Sequence, residues 1–531
     1  MDRNTDKSKR RGLRFSLSSL AVFVLILSIL LAYYGDKYRT YLREQSRIVP
    51  TDFDLTSGKN VLWSAPIGSV NFGGAAIGDG KLFVGTNNAA AYLTRYPKEI
   101  DLGVLLCFRA SDGQFLWQDS NLKLRSGRVH DWPLQGVTSR AYVEGDRVWY
   151  VSNRCEVVCL DTKGFYDGQD DGVKDETPSE ADAMFEADTV WRFDMLTQLN
   201  VSPHNASCSG VAASEHAVFV VTGNGVDESH VRIPNPESPS FLALDKHTGD
   251  VLWSDNSPGA NILHGQWATP TYAVIGGVPQ VLCPGGDGWL YSFDPQGTAD
   301  GKGQLLWKFD CNAKTAKWDL SGRATRNNLI RAATVYEGRV YISTGQDMEH
   351  GEGGAQVWCI DPTKHGDVSP ELVFNQANPD QPIAHQRLVA CDPDRGDLTR
   401  PNPNSALIWQ YTGNDYNSDG ELQYEETMHR SLSRVVVKDG LAVVADYSGI
   451  VHCIDAQTGK GHWTYDLLAQ TTATPLISAQ HIYVVDEDGC GAVFRLSADP
   501  DIAMPRGQPI SVNTLNSSIY GAATSADNVL Y

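Results

Sequence analysis

DGLAVVADYSGIVHCIDAQTGKGHW, residues 439–463, is the stretch whose reading decides the fold. It holds an apolar strand, a turn through Tyr447, Ser448 and Gly449, and a second strand ending at Asp455. A Thr458-Gly459 turn and a third strand carrying Trp463 follow. Alternating apolar residues mark half-buried strands, and TG or DG pairs mark hairpin turns. The same order returns in HAVFVVTGNGV (216–226) with PSFLALDKHTGDVLW (239–253), and in GKLFVGTNN (80–88) with VLLCFRASDGQFLW (104–117). QVLCPGGDGWLYSFDP (280–295) with GQLLW (303–307) gives the whole pattern again. DRVWYVSNRCEVVCLDTKG (146–164), GRVYISTGQ (338–346) with AQVWCIDPTKHGD (355–367), and HIYVVDEDGCGAVFRL (481–496) give most of it.

The closing tryptophans stand at 63, 117, 253, 307, 409 and 463, and three of the intervals are 54 residues. Trp191 serves the unit between 117 and 253. A unit of four short strands cannot bury its own faces, but units stacked radially about an axis bury one another. Residues 61–531, less insertions near 165–190 and 375–405, leave enough chain for about eight units of ~50 residues. The expected fold is all-β: an eight-bladed β-propeller of four-stranded antiparallel blades. Seven units follow Trp63. The eighth is expected to join VLWS (61–64) to the C-terminal SIYGAATSADNVLY (518–531), so that both chain ends close the ring.

The elements LALDKHTGDVLW, CIDAQTGKGHW, CLDTKG and SFDP with LLW resemble the PQQ-like β-propeller repeat family, which includes quinoprotein dehydrogenases and BamB-type assembly lipoproteins. The resemblance covers nearly all of 61–531. Longer phrases, among them VGTNN (84–88), VSPHN (201–205), TGNGVDE (222–228), STGQDMEHGEGG (343–354) and MHRSLS (428–433), resemble membrane-anchored members from planctomycete-type bacteria. The resemblance implies a propeller. It leaves two functions open: a non-catalytic binding or scaffold protein, and a periplasmic dehydrogenase dependent on PQQ and calcium. The adjacent cysteines that quinoprotein dehydrogenases place against the quinone have no counterpart here.

Phe15 to Tyr34 form a 20-residue uncharged stretch. At ~1.5 Å per residue a helix of that length crosses one hydrocarbon core. Six basic residues, Arg3, Lys7, Lys9, Arg10, Arg11 and Arg14, precede it. They place residues 1–14 in the cytoplasm, 15–34 as a single-pass signal anchor in the cytoplasmic membrane, 35–60 as a linker, and the propeller of 61–531 on the periplasmic side. The alternative is a cleaved signal peptide, for which the apolar run is long. The formal charge is −20, with Asp and Glu at 64 against Lys and Arg at 44. An acidic body of this kind excludes nucleic acid as a partner.

The sharpest chemical motif is Asp415-Tyr-Asn417-Ser-Asp419-Gly420-Glu421-Leu422-Gln423-Tyr-Glu-Glu426. It fits the spacing of a calcium loop. Asp415, Asn417 and Asp419 offer side-chain oxygens, Glu421 its backbone carbonyl, and Glu426 a bidentate carboxylate. The preceding LIWQYTG reads as a strand, so at most one helix, EETMHRSL, is expected to follow. The competing reading is an acidic solvated turn. The acidic loop Asp167–Gly172 reads as a turn, because Pro178 stands at its twelfth position.

Cys107, Cys159, Cys359 and Cys453 recur at one place in four repeats and read as small buried hydrophobes. The other six leave disulfide pairing open. The thirteen histidines show no metal-binding spacing. His130, His204 and His350 lie in loops able to reach a central funnel, but each reads better as solvent-exposed or capping. No catalytic residue stands out.

Overall fold

The computed structural model describes residues 49–173, 181–321 and 323–531. The expected cytoplasmic tail 1–14, membrane segment 15–34 and first part of the linker lie outside the described residues, as does Pro178. Among the described residues no helix is long and apolar enough to cross a membrane.

The chain is built of successive antiparallel sheets whose strands pair in chain order. The first comprises Ala75–Gly78, Lys81–Asn87, Leu102–Arg109 and Phe115–Leu122. The second comprises Tyr142–Glu144, Arg147–Val151, Glu156–Asp161 and Thr189–Asp194. The third runs through Ala212–Ala213, Ala217–Val221, Phe241–Asp245 and Val251–Asp255. The fourth holds Thr271–Ile275, Val278–Pro284, Trp289–Asp294 and Gln304–Asp310, plus a short parallel strand, Gly366–Asp367. The fifth is Thr334–Tyr336, Arg339–Ser343, Val357–Ile360 and Leu407–Tyr411. The sixth is Val436–Lys438, Leu441–Ala445, Ile450–Asp455 and Gly461–Asp466. The seventh is Leu476–Ser478, His481–Val485, Cys490–Arg495 and Ser511–Thr514. A two-stranded pair, Ser525–Ala526 with Val529–Leu530, ends the chain.

The inner strands are more buried than alternation implied. Ala217–Val221 and Leu441–Ala445 are buried at every residue. Their sheets are therefore covered on both faces, and such strands read as continuous apolar runs. Six apolar clusters each join two neighbouring sheets. Phe83 and Trp117 of the first sheet pack with Tyr150 and Val158 of the second. Trp191 packs with Val218 and Leu242, and Trp253 with Val281 and Phe293. Trp307 packs with Val340 and Trp358, Trp409 with Ala442 and Ile454, and Trp463 with Ile482 and Phe494. The series returns to its start through the chain ends. Val49 and Leu530 pack on Tyr483 and Val493 of the seventh sheet, while Trp63 and Tyr531 pack on the first. Residues 61–64, expected as a strand of the closing unit, have no strand pairing, but Trp63 lies 5.9 Å from the Tyr531 ring.

One repeated contact explains the tryptophan spacing. Each closing tryptophan after Trp63 stands opposite a small residue on the third strand: Cys107 with Trp117, Cys159 with Trp191, Ala243 with Trp253, Ser292 with Trp307, Cys359 with Trp409 and Cys453 with Trp463. The ladder shifts register just beyond each pair. The indole Nε1 then donates to a carbonyl beyond the third strand of the next sheet. Trp63 reaches Ala110 (3.0 Å), Trp117 Thr162 (3.0 Å), Trp253 Pro295 (2.9 Å), Trp409 Ala456 (3.1 Å) and Trp463 Ser497 (2.9 Å). Trp307 makes the link through Gln280, whose Nε2 donates to the Pro362 carbonyl. The turn glycine of the next sheet lies against the ring: a Cβ on Gly459 (φ +75°) would sit 2.6 Å from Trp409. The recurring cysteines are thus packing residues, 0–1% exposed, as the sequence implied.

The insertion at 165–190 carries short 3₁₀ turns at Gly164–Asp167 and Ala183–Phe185. The other forms a three-stranded sheet of Glu371–Asn375, Asn378–Pro382 and Asp397–Pro401. Among the described residues, two four-residue α-helices lie at Met195–Gln198 and Pro500–Ala503.

Candidate functional site

Three places bear chemistry. The first is a cavity of about 940 Å³ lined by the first strands of successive sheets and the residues just before them. Arg140, Arg331, Arg434 and Lys438 contribute to its wall. The hydrogen bonds of three of them go to neutral oxygens. Arg331 donates to the carbonyls of Leu432 and Thr472, Arg434 Nε to Thr334 Oγ1 (2.8 Å), and Lys438 Nζ to the Ala479 carbonyl (2.6 Å). Burial holds Arg140, Arg331 and Arg434 below the usual guanidinium range, and Arg140 adds a like charge beside Arg434. Among the described residues lining the cavity there is no Asp, Glu or Asn. A calcium-bound quinone needs such an oxygen set, so these residues do not fit the cofactor pair of a quinoprotein dehydrogenase.

The second place is the loop 415–426, between the fifth and sixth sheets. Asp415 Oδ1 accepts from the amides of Ser418 (2.6 Å) and Asp419, and its Oδ2 from Gly420 (2.8 Å). Asn417 Oδ1 accepts from Asp419 N (2.8 Å), and Asp419 Oδ1 from Glu421 N (2.9 Å). Glu426, buried at the loop's end, takes the amides of Tyr416 and Gln423, each at 3.0 Å. Gly420 supplies the left-handed turn (φ +88°). Asp415, Asn417, Asp419 and Glu426 are thus wrapped into one turn, with Glu421 exposed at its rim. EETMHRSL, where at most one helix was expected, forms none. A 3₁₀ turn covers only Tyr424–Glu426. The amides beyond it are drawn to other loops: Met428 N to Thr412 O, Arg430 N to Gly353 O and Ser431 N to Thr344 O. Those bonds cannot coexist with an i→i−4 ladder. Leu422 is 47% exposed.

The third place went unread in the sequence. His204 precedes the first strand of the third sheet, His264 that of the fourth, and His230 lies in the loop between the second and third strands of the third sheet. In an antiparallel meander these connections share one end of the sheets. The ligand-type atoms of the three imidazoles lie within 4.8 Å of one another. Ring centroids are 4.4–4.7 Å apart. His204 Nδ1 bonds the Val226 carbonyl at 2.8 Å. His264 Nδ1 bonds Asp347 Oδ2, and His350 Nδ1 bonds Asp347 Oδ1 (2.8 Å). Burial, then the neighbouring His264, pushes His204 down to about 3. Burial opposes ionisation of Asp347, but its bonds to His264 and His350 win and hold the carboxyl low. Trp267 closes one side, 5.3 Å from His264, and donates Nε1 to the His204 carbonyl. The insertion clamps the rim: Arg387 donates to the carbonyls of Val231 (2.7 Å) and Leu263 (2.9 Å), each next to a cluster histidine.

His204 and His350 are therefore buried, against the expectation of exposed or capping roles. His130 stands apart, half-buried, with Nε2 3.2 Å from Ser202 Oγ. Sequence spacing hid the cluster because His264 belongs to a different repeat from His204 and His230, which themselves stand 26 residues apart. The available signal was position: VSPHN and STGQDMEHGEGG supply His204, Asp347 and His350, and TGNGVDE ends two residues before His230. All ten cysteines stand as free thiols in the structure.

No curated protein matches the chain. BamB from Moraxella catarrhalis matches at 14% identity over 86% of this chain and 90% of its own, with a TM-score of 0.47. The computationally designed Ika8 protein matches at 13% over 88% and 95%, with a TM-score of 0.46. A europium-containing methanol dehydrogenase matches at 10% over 86% and 80%, with a TM-score of 0.40. The sequence model of the family described as outer membrane protein assembly factor BamB matches residues 394–500, from the insertion through the sixth sheet to the helix after Arg495. Over those residues the chain is similar to BamB-type sequences.

Proposed function

We propose that the chain is an eight-bladed β-propeller held outside the cytoplasm by residues 15–34, and that it works as a non-catalytic binding module whose axial cavity receives an anionic group of a small molecule or partner protein. One observation carries the reading. In a chain of net charge −20, four cationic side chains converge on a cavity whose described lining holds no carboxylate. Cations bonded only to neutral oxygens keep their field for an incoming anion, and low-dielectric walls focus it. The anchor rests on the uncharged stretch 15–34 and the basic residues before it.

Citrate and inorganic phosphate serve as probes by calorimetry on the full chain in detergent. Saturable binding of at least one is expected. Arg140→Gln with Arg434→Gln should weaken it about tenfold or more, since charge-assisted bonds contribute ~1.5–3 kcal/mol each. Binding that ignores both substitutions, or no binding by either anion, contradicts the reading. Reconstitution with PQQ and calcium is expected to give no alcohol-dependent dye reduction.

The same reading assigns a structural calcium ion to Asp415, Asn417, Asp419, the Glu421 carbonyl and Glu426. Calcium at tenfold excess over its Kd should stabilise the fold by about 1.4 kcal/mol, seen as a raised Tm. Asp415→Ala with Glu426→Ala should abolish that rise. An unchanged rise would mean the ion binds elsewhere.

A further inference from the structure

We infer that His204, His230 and His264 form a three-histidine site for a borderline divalent transition-metal ion, zinc first, with a fourth position open to water or an anion. The argument starts from tautomers. The Val226 carbonyl can only accept, so His204 Nδ1 carries the hydrogen and Nε2 presents a lone pair. Asp347 likewise fixes the hydrogen of His264 on Nδ1. The Nε2 atoms of His204 and His264 are both buried, and neither has a hydrogen-bond partner among the described residues. A buried polar atom without a partner costs about 1–3 kcal/mol, and two beside each other call for a common occupant.

That occupant is a cation that binds neutral nitrogen. Imidazole sets favour zinc, copper, iron or nickel over calcium or magnesium. Three histidines with one open position are the ligand set of reactive zinc sites, whereas structural zinc closes all four. The ligand atoms already lie within 4.8 Å of one another, around a centre that would form Zn–N bonds of about 2.0–2.1 Å.

The surroundings match how metal-ligating histidines are held. Metal-bound imidazole usually donates its other nitrogen to a carboxylate or carbonyl, which orients the ring and raises its basicity. His264 has the carboxylate and His204 the carbonyl. Asp347 spends its other oxygen on His350, so it is a positioning residue and not a ligand. His230 completes the set from a left-handed backbone conformation (φ +61°), held by its amide bond to the Asp227 carbonyl. Backbone strain of this kind persists where the surroundings over-determine it. Arg387 of the insertion pins the backbone beside both His230 and His264, which gives the insertion a role.

The test uses the full chain in detergent, stripped with a chelator and titrated at neutral pH with Zn²⁺ alone, then with Co²⁺ as a spectroscopic reporter. One equivalent of Zn²⁺ should bind and raise the Tm, and Co²⁺ should give the intense visible bands of a four-coordinate site. His204→Gln and His264→Gln should each weaken Zn²⁺ binding at least 100-fold and abolish those bands. Asp347→Asn should keep the one-to-one stoichiometry and weaken binding 10- to 100-fold. His130→Gln should change nothing. Circular dichroism of each metal-free variant checks folding, and Asp347→Asn, which keeps all three ligands, tests the site if a histidine variant fails to fold. Absence of stoichiometric Zn²⁺ binding, or binding that survives His204→Gln and His264→Gln, overturns the inference.

Discussion

Replacing Trp253 by alanine is expected to cost about 3–5 kcal/mol, the range for removing a buried aromatic side chain. The side chain is fully buried between the third and fourth sheets. Its ring lies 5.6 Å from Phe293 and 6.0 Å from Phe219, and its Nε1 ties the third sheet to the Pro295 carbonyl of the fourth. The site cannot collapse to fill the space, because the turn glycine Gly297 already packs on the ring. Trp253→Phe keeps most of the apolar contact and loses one hydrogen bond, so a loss nearer 1 kcal/mol is expected. Calorimetric Tm values of the two variants separate packing from bonding. Equal losses would mean that the indole donor, and not burial, holds neighbouring sheets together.

Asp310→Asn is expected to cost a similar 3–5 kcal/mol, because it strips the counter-charge from a buried network. Asp310 and Arg326 are both 0% exposed and lie 3.1 Å apart, with Lys314 at 2.8 Å from the other oxygen. Arg326 Nε and Nη1 have no hydrogen-bond partner among the described residues, so the guanidinium depends heavily on this carboxylate. Pairing Asp310→Asn with Arg326→Met should cost less than the sum of the two single changes, since the double variant leaves one fewer buried charge unpaired. The pH dependence follows. Burial pushes the Asp310 carboxyl up, but Arg326 and Lys314 more than offset this and hold it below the ordinary carboxylate range. A carboxylate lowered in the folded state contributes stability that is complete above the unfolded pKa of about 4 and is lost as pH falls below it. Acid titration of the wild-type Tm should therefore fall more steeply below about pH 4 than that of Asp310→Asn. Parallel curves would show that the pair is not coupled to folding.

The repeat was legible because its markers are local. A small residue opposite a tryptophan, a turn glycine and an Asp-capped strand recur at fixed spacing, and each survives as a physical contact in Cys453, Trp463 and Gly459. Alternation misjudged burial for a reason outside any one repeat: a second sheet covers the face of Ala217–Val221 that would otherwise meet water. The loop 415–426 was legible because its oxygens lie within twelve residues. No helix follows it because the amides of Met428, Arg430 and Ser431 are claimed by other loops. The histidine cluster was illegible as a set. His264 and Asp347 are 83 residues apart, and only the stacking of the third, fourth and fifth sheets brings them together. Residues 49–53 were read as linker, yet they lie against the seventh sheet, where Tyr483 Oη donates to the Val49 carbonyl and Phe53 N to Asn513 Oδ1.

Ring closure by the two ends of the chain is most directly tested by a spin-label distance between Thr56 and Asn516, whose side chains are hydrogen-bonded at 3.0 Å although 460 residues apart. Labels attached by non-cysteine chemistry avoid the ten native thiols. A single narrow, short distance is expected in the full chain. A broad or long distribution, with the remaining sheets folded, would show an open row of sheets and contradict the closed ring.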